Sequence, residues 1–197
     1  MRNDQEIKDE RVRNPWKTLS STEVYQNPWI VVREDRVIRP DGKDGIYGVV
    51  EFQNRAVGVI ACDEGHIYLV GQFRYPLNSY SWEIPEGGCP EGEDSLAAAQ
   101  RELREETGIT ASEWKLMGRA HLSNSVSDEE AVWFLATGLS HHEPRPEGTE
   151  ELTVRRIRTE DALKMVLAGE ITDAISMLAI LQFAFSWKGT EYQETAD

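Results

Sequence analysis

Little in this sequence could cross-link the chain or anchor it. Cysteine is nearly absent: Cys62 and Cys89 are the only two in 197 residues. Two are too few for a disulfide framework, so the fold is expected to rest on its core, in the reducing cytoplasm. The opening segment MRNDQEIKDE is charged and has no apolar stretch that could act as a secretion signal. The longest mostly apolar run, Ile175 to Phe185, is interrupted by Ser176 and Gln182, and it is about half of the ~20 residues a membrane span needs. No membrane association is expected. Positive charge is also scarce, with 21 Lys and Arg against 35 Asp and Glu and a formal charge of −14. Affinity for nucleic acid comes chiefly from cations that neutralise phosphates, so long nucleic acid is not an expected partner, while a small anion held through metal ions stays open. A chain of this length fits one domain with a smaller appendage and buries roughly 70% of its unfolded surface.

The first thirteen residues are charged and aperiodic and read as an arm, 1–13, that orders only against a partner. Strand patterns follow at Thr22–Tyr25, Trp29–Ile38 and Tyr47–Phe52, separated by the turn signals Asn27-Pro28 and Pro40-Asp41-Gly42. Ala56–Ala61 and His66–Phe73 flank Asp63-Glu64-Gly65 as a tight hairpin, and Trp114–Ala120, Glu130–Ala136 and Leu152–Arg158 read as further strands. Three helices are expected. One spans Ser95 to Thr107 and ends at Gly108, a second runs from Thr159 to near Gly169, and a third, capped by Thr172, reaches Phe185. Strands and helices mix without the regular alternation of a doubly wound parallel sheet, so the class is α+β or a layered α/β/α domain.

On the first helix the carboxylates crowd. With Glu102 at zero, Glu106 lies at about +40° and Glu105 at about −60°, on one side of the helix, while Leu96, Ala99 and Leu103 form a buried stripe beside them. Like charges four residues apart repel by a few tenths of a kcal/mol on an exposed helix, and more in shelter. Arg101 reaches Glu105 across one turn, but a single guanidinium cannot neutralise three carboxylates. By itself such a cluster reads first as a solvated acidic face. The turn upstream adds to it, because Glu86-Gly87-Gly88, Pro90 and Gly92 form a loop whose backbone can approach an ion or phosphate closely. A divalent cation is the simplest compensation, and oxygen donors without His or Cys favour Mg²⁺ or Mn²⁺ over zinc.

Five residues separate Gly87 from Glu93, seven more lead to Arg101-Glu102-Leu103, and Glu105-Glu106-Thr107-Gly108-Ile109 follow Arg104. This run, 87–109, resembles the Nudix box at every fixed position. The box is the signature of hydrolases acting on nucleoside diphosphates linked to another moiety. The resemblance implies a Nudix-type α/β/α sandwich with a mixed sheet over 53–190, an acidic tail at 191–197, and before them an N-terminal β-rich dimerisation segment, 14–52. Gln72-Phe-Arg-Tyr-Pro76 and Glu83-Ile-Pro-Glu-Gly87 resemble the segments that precede the box in ADP-ribose and nucleotide-sugar pyrophosphatases, whose N-terminal strands exchange between two subunits. A homodimer is therefore expected. Members dedicated to ADP-ribose carry proline at the position of Ser125, so the resemblance points to a broader range of nucleoside diphosphate sugars.

The activity implied is Mg²⁺-dependent hydrolysis of the pyrophosphate bond in ADP-ribose, GDP-mannose and similar compounds to a nucleoside monophosphate and a sugar phosphate. Glu102, Glu106 and Glu105 are the expected metal ligands, with the backbone carbonyl of Glu86 added by resemblance. Glu93 is expected to support the site from its loop. Arg101 lies about 100° from Glu102 around the helix and is read as an orienting partner within the catalytic set. Related enzymes carry a catalytic glutamate on a flexible loop where Ser127-Asp128-Glu129-Glu130 stands. Glu129 is the expected general base, with Glu130 the fallback, although an acidic loop tip would look the same. Arg74 and Arg55 are candidate phosphate contacts or plain surface cations. Glu83 is a candidate contact for the terminal sugar or a metal-side water. Trp29 is a nucleobase platform or a packing aromatic. A nucleoside triphosphate or capped-RNA pyrophosphohydrolase and a non-catalytic nucleotide-sugar sensor are the alternatives.

Overall fold

A computed structural model describes residues 13–143 and 152–194, with side chains through Ser186. Of the expected arm only Arg13 falls among the described residues. The side chains of the expected acidic tail lie outside them. The chain divides into two compact units, the first made of residues up to Gln53 together with Ser123–Asp128, the second of the remainder.

In the first unit, β1 (Lys17–Gln26), β2 (Ile30–Ile38) and β3 (Asp44–Phe52) form an antiparallel sheet in the order β1-β2-β3. The Asn27 side chain accepts hydrogen bonds from the amides of Trp29 (2.8 Å) and Ile30 (2.9 Å), which closes the first turn. β1 starts earlier than the apolar pattern suggests: Lys17–Ser21 is polar apart from Leu19, yet it pairs with Asp35–Ile38. Backbone pairing decides there, not burial, for β1 is exposed along its length. The segment Ser123–Asp128 is held to β3, with Val50 donating to the Val126 carbonyl (2.9 Å), Phe52 donating to Asp128 Oδ1 (2.9 Å) and the Tyr47 hydroxyl donating to the Ser125 carbonyl (2.7 Å).

The second unit is a sandwich around one mixed sheet. Its strands β4 (Asn54–Asp63), β5 (His66–Arg74), β8 (Ile109–His121), β9 (Glu130–His141) and β10 (Thr153–Arg158) lie in the order β10-β5-β4-β9-β8, with β6 (Ser79–Glu83) on β5 and β7 (Glu86–Pro90) on β4. Only β4 and β9 run parallel. Alternate residues of these central strands face opposite layers, as the two-residue period of a strand requires. Val57, Val59, Ala61, Val132, Phe134 and Ala136 pack on Ala98, Ala99 and Leu103 of α1 (Ser95–Thr107). On the other face, Ile60, Cys62, Ala131 and Trp133 pack against Ala162, Met165 and Val166 of α2 (Thr159–Ala168) and Ile175, Ala179, Ile180 and Phe183 of α3 (Ala174–Glu194). The expected α/β/α arrangement with a mixed sheet is thus present. No helix among the described residues is long and apolar enough to cross a membrane.

Several local expectations need correction. The stretch Glu86–Pro90 is a strand and not a loop, paired with Asn54–Gly58. Its glycines are close-approach positions within a ladder. β6 is likewise absent from the sequence reading. The third helix is capped by Asp173 and not Thr172, since the Asp173 carboxylate accepts from the Ser176 amide at 2.7 Å, and the helix runs past Phe185 to Glu194. The Glu64-Gly65 tip has positive φ at both residues (47° and 74°), as a two-residue hairpin turn demands.

β4 and β5 pair only next to that tip, at Cys62↔Ile67 and Asp63↔His66, and then diverge. β6 and β7 fill the split, and the corner between them, Ile84-Pro85, is buried. The start of α3 packs there: the Ile84 amide donates to Ser176 Oγ at 2.9 Å, and both residues are fully buried. Removing that hydroxyl leaves a buried amide without an acceptor. Ser176→Ala is expected to lower stability by about 1–3 kcal/mol, read as a reduced urea midpoint with an unchanged slope.

Candidate active site

The box helix α1 begins at Asp94, whose side chain accepts from the amides of Leu96 (3.0 Å) and Ala97 (3.1 Å), and ends at Gly108 in the left-handed conformation (φ 70°). Both ends are therefore fixed, and the phase of its acidic face is set by the buried Ala98, Ala99 and Leu103. Glu106 is 3% exposed, and its Oε2 accepts the Glu86 amide of β7 at 3.0 Å. Glu102 lies so close to Gly87 that a Cβ on that residue would overlap the Glu102 carboxylate. β7 lies bare against the helix there, and a side chain at Gly87 would displace the Glu102 carboxylate from this place.

Arg101 ties these parts together. Its Nη2 donates to the Gly88 carbonyl (2.8 Å) and to Glu93 (3.0 Å), and its Nη1 donates to Glu102 (2.6 Å) and Glu105 (3.3 Å). The hydrogen bonds that Arg101 donates to Glu93 and then to Glu102 outweigh desolvation and raise the guanidinium's pKa, so it stays charged. One cation thus spans the strand, the loop and the helix. It does not balance Glu93, Glu102, Glu105 and Glu106 together.

A second group stands at the β6–β7 corner. Glu83 is 2% exposed and takes Arg74 through both of its oxygens, with Gln72 at 3.3 Å; Arg74 Nη2 also reaches Glu86 Oε1 at 3.0 Å. Burial works against the charge on Arg74, but the hydrogen bond and charge of Glu83, with Glu86 and Asp173 beyond, more than offset it. Burial pushes the Glu86 carboxyl well above the usual carboxylate range, and the neighbouring charges of Asp173 and Glu83 add to the effect.

The remaining sequence candidates are more dispersed. Arg55 on β4 donates to Glu130 Oε2 (2.8 Å) and to Ser95 Oγ (3.1 Å), so these two candidates hold each other. Glu129 is half-buried just before β9, its carbonyl accepting from Leu122 at 3.0 Å. Trp29 belongs to the first unit and is 66% exposed. Asp173 was absent from the sequence candidates. Its neighbours Glu83 and Glu86 lie far away in the chain, so no local pattern marks it.

Hard oxygen donors, an acidic helix face backed by a glycine-bearing strand, and an α/β/α frame define the class. The NUDIX domain matches residues 52–176, and the chain belongs to this family of pyrophosphohydrolases. Residues 16–50 match the model described as the nucleoside diphosphate sugar hydrolase N-terminal domain. Among particular proteins, the chain is 34% identical over 166 residues to an ADP-ribose pyrophosphatase of Bacillus subtilis, covering 83% of this chain and 90% of that one. It is also 34% identical over 171 residues to an ADP-ribose pyrophosphatase of Mycobacterium tuberculosis, covering 84% and 82%. A solved structure described as an ADP compounds hydrolase superposes with a TM-score of 0.81 at 19% identity, over 89% of this chain and 95% of that one, which supports the fold.

The raised pKa of Glu86 has a sign. The native state binds that proton more tightly than the unfolded chain does, so stability is lost as pH rises from the ordinary carboxylate range through the raised native value. In chelator-treated protein, Glu86→Gln is expected to raise Tm above wild type near about pH 8 and to change it little near about pH 5. A difference independent of pH would show that Glu86 titrates alike in both states.

Proposed function

We propose that this chain hydrolyses the pyrophosphate bond of nucleoside diphosphate sugars, ADP-ribose among them, to a nucleoside monophosphate and a sugar phosphate, with Mg²⁺ or in its place Mn²⁺. The observation that carries the reading is the acidic face of α1 set against β7, where Glu102 and Glu105 share the Arg101 guanidinium and Glu106 accepts the Glu86 amide. That donor set, all oxygen and more anionic than Arg101 can balance, fits a hard divalent cation. Glu102, Glu105, Glu106 and the Glu86 carbonyl would hold it. When bound, it neutralises non-bridging phosphate oxygens and lowers the pKa of water.

The chain's own groups do the rest. Arg101 keeps helix and strand in register and so fixes the direction of the glutamates. Arg74 presents a cation to the diphosphate, and the buried Glu83, which accepts from it through both oxygens, would steady that guanidinium. By the resemblance Glu129 is the first choice of base, with Glu130, held by Arg55, as the fallback. It would take the proton of the water that attacks one phosphorus, while the bridging oxygen leaves with the other.

The N-terminal sheet is proposed to join two copies of the chain. Leu19, Val24, Tyr25 and Ile46 on its strands and Trp29 in the β1–β2 turn are each more than half exposed, and exposed apolar side chains in such number suit an interface. Light scattering is expected to find a homodimer, and Val24→Glu with Ile46→Glu to shift it towards monomer; a wild-type monomer would end this proposal.

A panel of ADP-ribose, GDP-mannose, UDP-glucose and nucleoside triphosphates, assayed with and without Mg²⁺, tests the activity. Turnover of the diphosphate sugars and little of the triphosphates is expected. Equal triphosphate turnover would favour the triphosphate reading. Glu106→Gln is expected to abolish the metal-dependent rate in a folded protein, and Glu129→Gln to lower kcat by about 10²–10⁴ with substrate binding kept.

A further inference from the structure

Beyond the box helix, Glu83, Glu86 and Asp173 bring one carboxylate oxygen each to within 4.8 Å of one another. They come from the end of β6, the start of β7 and the cap of α3, and they meet where β4 and β5 part. Such a group could be no more than a salt-bridged corner, since Arg74 lies beside it. Its partners do not close the account. Arg74 takes both Glu83 oxygens and one Glu86 oxygen, and the Ser176 amide takes one Asp173 oxygen. Glu86 Oε2 is left fully buried with no hydrogen-bond partner. A carboxylate oxygen so placed costs free energy unless something supplies positive charge. With Glu86 ionised, three carboxylates against one guanidinium leave two negative charges, the charge of one divalent ion. A cavity of about 240 Å³ adjoins the group, lined by Arg74, Ser81, Glu83, Thr172 and Asp173, with room for the waters that complete a coordination shell.

We propose that Glu83, Glu86 and Asp173 form a divalent-cation site separate from the glutamates of the box helix. All three donors are hard oxygens, which suits Mg²⁺, Mn²⁺ or Ca²⁺ and not a thiolate-seeking metal. The spacing is compatible: ligand oxygens on opposite sides of an ion bound at about 2.4 Å lie about 4.8 Å apart, and adjacent ones lie closer. The site does not depend on the activity proposed above. It does touch Arg74, because an ion here takes up the carboxylates that otherwise hold that guanidinium, so cation occupancy and the freedom of Arg74 are linked.

The test uses the full chain, stripped of metal, with Mn²⁺ alone as the probe, uptake being counted by electron paramagnetic resonance and calorimetry. In a Glu102→Gln/Glu106→Gln background one Mn²⁺ per chain is still expected to bind. Adding Asp173→Asn, which keeps a capping side chain, or Glu86→Gln, which keeps the β7 backbone, is expected to weaken that uptake by at least about tenfold. Circular dichroism verifies the fold, and Asp173→Asn decides if Glu86→Gln does not fold. No uptake in the background variant would overturn the proposal and leave a corner that holds only a proton. Uptake unaltered by both added substitutions would overturn it as well, placing the ion elsewhere. Failure of the box reading looks different: the background variant would then bind as many ions as wild type.

Discussion

The second unit is organised around a surplus of negative charge that has to be held in place. Glu83, Glu86, Glu102, Glu105, Glu106 and Asp173 gather about the start of β7, Glu93 follows its end, and Arg74 and Arg101 are cations bonded among them. Each arginine bridges several elements, so repulsion between carboxylates becomes a set of fixed directions. Arg101 joins strand, loop and helix. Arg74 joins β5 to the β6–β7 corner. Neither group would keep its geometry on a mobile backbone, and the layered core beneath supplies the rigidity.

That core explains why the site lies where it does. The central strands are buried on both faces, and the side chains that face α1 set the helix phase that turns Glu102 and Glu106 towards β7. On the opposite face α3 is seated by Ile175, Ala179 and Ile180, which brings its cap to the corner where Glu83 and Glu86 stand. Two helices on opposite layers thus reach the same strand from its two sides.

Much of this was legible in the sequence because it rests on local pattern. The strand runs of β2, β4, β5 and β9 are apolar or alternating, the box helix has its buried stripe, and Gly42, Gly65, Gly108 and Gly169 mark positive φ where turns or caps were expected. The Arg101–Glu105 pair could be seen one helical turn apart. What was not legible depends on distant partners. β7 looks like a loop because its glycines were chosen for contact with Glu102 and Asn54 and carry no strand propensity. β1 is too polar at its start to announce pairing. Glu83 and Arg74 are nine positions apart, and only the β5–β6 register brings them together. The cap expected at Thr172 falls one residue later, at Asp173, because the packing of α3 starts the helix at Ala174.

The bond from Ile84 to Ser176 spans 92 positions of chain. As synthesis proceeds, the box helix and its strand emerge long before the segment that seals their neighbouring corner. A nascent or clipped chain ending ahead of α3 would already display the crowded glutamates, with Ile84 open to water and Asp173 missing. Completion of this corner is therefore a late event in the order of assembly, and a chain interrupted before α3 would carry the signature of the family without the closure that belongs to it.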